Sequence, residues 1–148
     1  MATKHILIAM EPQSTPAQPK LLFIDDDVFF LDLYNRKAQQ YNIDMKVANG
    51  ATEAFQKLDA GFVPDLFVVD LDMPNISGME FIQEIHKRGL TKTAYIVILT
   101  NKNDPYFVER SKEYLVDRYI VKATRVPSEV MEELIDLLKS GKKRPAIA

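Results

Sequence analysis

From Lys20 onward the chain alternates between two kinds of apolar pattern. Residues 21–24, 66–69 and 95–99 are short uninterrupted apolar runs rich in β-branched and aromatic residues, the pattern of strands covered on both faces in the middle of a parallel sheet. Residues 44–47 alternate polar and apolar positions and residues 119–121 form a shorter run, which places those two strands toward the sheet edges. Between the strands lie helical periodicities. Ala51, Ala54, Phe55 and Leu58 share one face, with Asn49 as the expected cap and Glu53 in the first turn; Val130, Met131, Leu134, Leu137 and Leu138 share another. The segment NDPYFVERSKEYL predicts a helix running to Leu115, capped by Asp104 with Pro105 at its first position. Gly61 and Gly89 fall where helices should stop. Five strand–helix units result, and right-handed crossovers lay their helices on both sides of one parallel sheet.

Length and composition narrow the class. The 148 residues suit one domain with a self-sufficient core. The absence of cysteine excludes disulfides and thiolate metal sites and suits a reducing cytoplasm. A formal net charge of −2 with both signs interspersed points to neither a nucleic-acid nor an anionic-membrane surface. No run approaches the roughly 18 apolar residues of a membrane span, and HILIAM near the start is too short for a signal-peptide core. A soluble cytoplasmic protein is the expectation. Residues 1–19 read as an extension whose segment EPQSTPAQP, with three of the eight prolines, forms a linker. HILIAM is then either a disordered leader or a strand that reaches a sheet edge or a neighbouring molecule. The domain occupies residues 20–140, and the basic tail 141–148 reads as a solvated terminus. His5 and His86 stand apart with no ligand cluster around either and read as surface residues.

The chemistry concentrates at strand ends. LLFIDDDVFF sets Asp25, Asp26 and Asp27 side by side between apolar runs. Two like charges about 4 Å apart repel by roughly 4 kcal/mol at an effective dielectric near 20, so a fold that gathers them needs a counterion or a proton. Asp25 and Asp26 end the first strand, Asp70 the third, Thr100 the fourth and Lys122 the fifth. In a doubly wound sheet the carboxyl ends of the strands form the binding crevice. An oxygen-only cluster suits a hard divalent cation, above all Mg²⁺. One carboxylate then serves as nucleophile toward phosphorus, while a lysine charge and a threonine donor hold the phosphoryl oxygens.

On these residues the chain resembles the receiver domains of bacterial two-component response regulators. The matching positions are the pair Asp25 and Asp26, Asp70 in VVDLDMPNISGMEF, Thr100 in VILT and Lys122 in YIVKA. The intervals of 44, 30 and 22 residues from Asp26 through Asp70 and Thr100 to Lys122 match as well, and the resemblance covers about residues 20–140. It implies an α/β flavodoxin-like fold, a five-stranded parallel sheet in the order 2-1-3-4-5. It also implies that Asp70 is the phosphoacceptor and that Asp25, Asp26, Asp70 and the main-chain carbonyl of Asp72 hold Mg²⁺. The phosphoryl donor is then a histidine kinase or a histidine phosphotransfer protein, and the output a changed affinity for a downstream protein, or self-association into a homodimer. Met73, Pro74 and Gly78 match the loop into the third helix. Asp27 matches no fixed role and reads as the start of the first helix, where acids are favoured. Tyr119 stands at the family's aromatic switch position, although an ordinary strand aromatic would look the same. In DVFFLDLY, Phe30, Leu33 and Tyr34 are expected to face the core. Phe29 and Leu31 fall near the face that receivers use to dock kinases, as core packing or as a partner patch.

Departures from the pattern fall beside the site. Asn101 follows Thr100 where a small residue is usual, Ala123 follows Lys122 where proline is usual, and Asp72 is acidic at a variable position. These three bear on the lifetime of a phosphorylated state, with Asn101 and Asp72 as its tuning residues. The alternatives fit less well. A magnesium-dependent phosphatase with an aspartate nucleophile shares the DLD of residues 70–72 but has Pro74 where threonine or valine belongs, and its motif sits on the first strand. A flavin-binding module needs a phosphate loop that DDDVFF would repel. A degenerate receiver that binds partners without phosphorylation is opposed by the complete Asp, Thr and Lys set. With few residues after Leu138, a stand-alone switch with no output domain is the expectation.

Overall fold

The computed structural model describes residues 17–141. His5, the HILIAM segment, most of the linker and the basic tail beyond Gly141 lie outside the described residues. Ten main elements alternate: β1 (Lys20–Ile24), α1 (Val28–Ala38), β2 (Asp44–Ala48), α2 (Ala51–Asp59), β3 (Leu66–Val69), α3 (Gly78–Lys87), β4 (Tyr95–Thr100), α4 (Pro105–Lys112), β5 (Arg118–Val121) and α5 (Pro127–Lys139). Short 3₁₀ turns occupy Leu90–Lys92 and Lys122–Thr124. All neighbouring strands pair in parallel in the order β2-β1-β3-β4-β5. The alternating segment and the short run are the edges, as their composition predicts.

Strand alternation divides the core into two layers. Leu21 and Phe23 of β1, Leu66 and Val68 of β3, and Ile120 of β5 pack with Leu31 and Tyr34 of α1 and with Val130, Met131 and Leu134 of α5. Leu22, Ile24, Phe67, Val69, Ile96 and Ile98 point the other way, onto Ala54 of α2 and Phe81, Ile82 and Ile85 of α3, with Phe107 of α4 at the margin. The central strands are buried on both faces.

Helix ends follow local chemistry, with some shifts from the sequence reading. Asp27 caps α1 by accepting from the amides of Phe29 and Phe30, and Asp104 caps α4 ahead of Pro105. The cap of α2 is Gly50 at φ 116°, not Asn49. Glu53 reaches back to accept from the Asn49 amide, while the glycine cap makes no side-chain bond to the helix amides. Helix α4 closes at Lys112, short of Leu115, because Leu115 turns into the left-handed region at φ 63° and the Val116 amide folds back to the carbonyl of Ser111. The phase of α1 also differs: Leu31 is 4% exposed and belongs to the core, whereas Leu33 is 42% exposed. With Asp27 as cap, Leu31, Tyr34 and Ala38 form the inward i, i+3, i+7 stripe.

Two further positions are set by close packing. Gly78 opens α3 so close to the strand that a Cβ there would lie 2.1 Å from the main-chain oxygen of Asp70, and only glycine fits. His86 is half-buried rather than a surface residue, with Nδ1 2.7 Å from the buried Thr91 hydroxyl and its ring edge-on to Tyr114.

Candidate functional site

The site follows from strand register. Ile24 pairs with Val69 on adjacent strands, so the next residues, Asp25 and Asp70, emerge level with each other at the carboxyl edge. The Asp70 amide still donates to Ile24 and the Asp25 amide to Ala48, which continues the ladder under both acids. By alternation Asp25 follows Leu21 and Phe23, Asp70 follows Leu66 and Val68, and Lys122 follows Ile120. All three share the face covered by α1 and α5.

The two buried carboxylates are held alike. Asp25 Oδ1 accepts from the Asp27 amide at 2.9 Å, and Asp70 Oδ1 accepts from the Asp72 amide at 3.2 Å. Both second oxygens face the Lys122 ammonium, 2.7 Å from Asp25 Oδ2 and 3.3 Å from Asp70 Oδ2. The Lys122 ammonium also lies over an aromatic face, its Nζ 4.2 Å from the centroid of the Phe30 ring. Asp26 is exposed at the mouth, and one oxygen from each of Asp25, Asp26 and Asp70 lies within 4.8 Å of the others.

Electrostatics mark the cluster as incomplete. Asp25 is 1% exposed, and burial lifts its carboxyl from 3.8 to about 6 against the opposing pull of Lys122 and the Asp27 amide, with the Asp70 charge pushing the same way as burial. Burial acts to lower the Lys122 ammonium, but Asp25 and Asp70 together raise it. Asp25 Oδ2 is buried without a fully aligned hydrogen bond. Three carboxylates gathered around the one Lys122 ammonium leave a surplus of negative charge that suits an additional cation with oxygen-preferring chemistry. Asp25, Asp26, Asp27, Asp70, Asp72, Met73, Pro74, Asn101 and Lys122 line a cleft of about 550 Å³.

Thr100 and Tyr119 stand apart from this cluster. Thr100 follows Ile96 and Ile98 onto the opposite face of the sheet, is fully buried, and accepts from the Lys102 amide through its hydroxyl at 3.3 Å. Tyr119 packs at the margin of the same layer and donates its hydroxyl to the Lys102 carbonyl. Burial raises its phenol, with Asp104 and Asp70 adding to the shift. The amide and the carbonyl of one residue thus hold both side chains. The structure therefore brings together Asp25, Asp26, Asp70 and Lys122, keeps Asp72 and Asn101 on the cleft wall, and leaves Thr100 and Tyr119 one layer away. Sequence reasoning missed Phe30 as the cover of Lys122 and Lys102 as the link between Thr100 and Tyr119, because both depend on contacts between distant segments.

The fold is thus a doubly wound parallel sheet with a buried acid pair and a lysine at its carboxyl edge. The chain belongs to the response regulator receiver domain family, whose sequence profile matches residues 21–135. Similar curated proteins include the transcriptional regulatory protein CpxR homolog of Haemophilus influenzae, 35% identical over 68 residues that make up 46% of this chain and 29% of the relative. The response regulator ArlR of Staphylococcus saprophyticus is 27% identical over 125 residues, 84% of this chain and 53% of that protein. The chain thus spans about half or less of the length of these relatives. Its fold is similar to the crystal structure of a receiver domain protein from Methanospirillum hungatei, with a TM-score of 0.75 at 21% identity over 83% of this chain and 95% of the other.

Proposed function

We propose that the protein is a phosphorylation-controlled switch in which Asp70 accepts a phosphoryl group from the phosphohistidine of a histidine kinase or a histidine phosphotransfer protein in the cytoplasm. The observation that carries this reading is the convergence of Asp25, Asp70 and Lys122 within 3.3 Å contacts at the carboxyl edge of a receiver-family sheet. An Asp70 oxygen attacks phosphorus, the bond from phosphorus to the imidazole nitrogen breaks, and the imidazole leaves with its electron pair, so Asp70 becomes an acyl phosphate. The Lys122 charge, already beside Asp70, stabilises the anionic oxygens. Asp25, Asp26, Asp70 and the main-chain carbonyl of Asp72 would hold Mg²⁺, which would supply charge neutralisation for the carboxylates and the incoming phosphoryl oxygens. The switch unit spans residues 20–140, with residues 1–19 and 141–148 as flanks.

The readout runs through the opposite layer. Negative charge on Asp70 draws the Thr100 hydroxyl away from the Lys102 amide, breaking that tie and freeing the Lys102 segment, which also holds Tyr119, to shift. That alters the surface of α4, β5 and α5 and hence the affinity for a downstream protein or for a second copy of the chain. Incubation with acetyl phosphate, followed by intact-protein mass spectrometry, tests the reading. One phosphoryl group per chain with Mg²⁺ and none in EDTA is the expected result. Repeated turnover of a generic phosphate ester would instead support the phosphatase class.

A further inference from the structure

We propose that Asn101 is a positioning residue that clamps the turn carrying Lys122. Pairing of β4 with β5 ends at Thr100 opposite Val121. One residue further on, Asn101 Oδ1 accepts from the Ala123 amide at 3.1 Å, so a side chain adds one more cross-strand bond where the backbone ladder has stopped. The donor exists because position 123 is alanine; a proline there has no N–H to give. Two of the three positions that depart from the family pattern are therefore partners.

The clamp acts where Lys122 leaves the sheet. Lys122 is the first residue of the 3₁₀ turn Lys122–Thr124, and two further bonds tie the turn to its own neighbours: Thr124 Oγ1 donates to the Val121 carbonyl and the Arg125 amide to the Lys122 carbonyl. Among these three bonds, that to Asn101 alone reaches another strand. It fixes the orientation of the peptide between Lys122 and Ala123, and with it the path by which the ammonium reaches Asp25 and Asp70. Asn101 and Lys122 line the same cleft, so the clamp sits at the wall of the reaction space. Its consequence for phosphorylation rests on Asp70 being the acceptor; its geometry does not.

Bulk and bonding are separable. If Asn101 acted only by filling space against water, leucine, of similar size but without an acceptor, would replace it. The clamp instead predicts that Asn101→Leu behaves like Asn101→Ala, while Asn101→Asp, which keeps an acceptor oxygen, preserves the bond. Hydrogen exchange of the Ala123 amide in the unphosphorylated protein reads the clamp directly. It should quicken about fivefold in Asn101→Leu, the change expected from one net hydrogen bond, and stay near the parental rate in Asn101→Asp. With acetyl phosphate and Mg²⁺, Asn101→Leu and Ala123→Pro should each slow labelling or shorten the half-life of the phosphorylated state, and the double variant should do no more than the stronger single. An Ala123 amide indifferent to Asn101→Leu overturns the clamp, as does a leucine variant with parental labelling and half-life beside an impaired alanine variant. A parent that takes up no phosphoryl group contradicts the acceptor reading alone, since the exchange measurement stands without it.

Discussion

Asp25 carries the clearest electrostatic load of any single residue in the site. Its carboxyl is buried and pushed up to about 6, above the 3.8 of an ordinary aspartate. A carboxyl whose value is raised on folding stabilises the fold fully below about pH 4, and that contribution is lost as pH rises through about 6. The metal-free protein therefore gives up stability from this group between those two values. In the variant Asp25→Asn the amide oxygen would still accept from the Asp27 amide, and Lys122 would keep Asp70 as partner. Urea unfolding should show Asp25→Asn more stable than the parent at pH 7 without metal, by on the order of 2 kcal/mol, with the difference vanishing near pH 4. Added Mg²⁺ should raise the parent's midpoint and affect the variant far less. A variant less stable than the parent at both pH values would mean that the negative charge is already compensated by Lys122.

Helix α1 shows what a pattern can and cannot specify at the scale of an element. That residues 28–38 form a helix is legible from their periodicity, but its rotation about its axis depends on which aspartate caps it. DDDVFF offers three, and a shift of one residue turns the helix by about 100°. The cap is Asp27, so Leu31 is inside and Leu33 outside. Leu31→Ala should cost about 2–4 kcal/mol in urea unfolding, whereas Phe29→Ser, at a residue 86% exposed, should change stability by less than about 0.5 kcal/mol. The reverse order of the two effects would contradict this rotation. The same division runs through the other elements. Five strands and the acids at their ends are readable, because buried strands and Asx positions leave local traces, whereas the strand order follows only from the family resemblance. The end of α4 at Lys112 is not, since a leucine at φ 63° has no sequence mark, and the Asn101–Ala123 bond joins residues 22 apart.

Across the whole molecule the sheet separates the acid–lysine cluster from Thr100 and Tyr119. Asp25, Asp70 and Lys122 lie on the face of α1 and α5, Thr100 and Tyr119 on that of α2, α3 and α4. The two sets meet at the carboxyl edge. The Lys102 segment, tied to Thr100 by its amide and to Tyr119 by its carbonyl, links these two residues through hydrogen bonds. Thr100→Ala and Tyr119→Phe each remove one of those ties, and each should leave phosphorylation measurable while weakening the response to it. Sedimentation with and without beryllofluoride and Mg²⁺ measures that response. Parental responses from both variants would send the signal by another route, with the apolar exposed end of α1 as the next element to probe. All of this depends on where the phosphoryl group lands. The decisive measurement is intact-protein mass spectrometry of the parent and of Asp70→Asn after exposure to acetyl phosphate and Mg²⁺. The parent should gain one phosphoryl group and the variant none; a variant that is labelled as fully as the parent would contradict Asp70 as the acceptor.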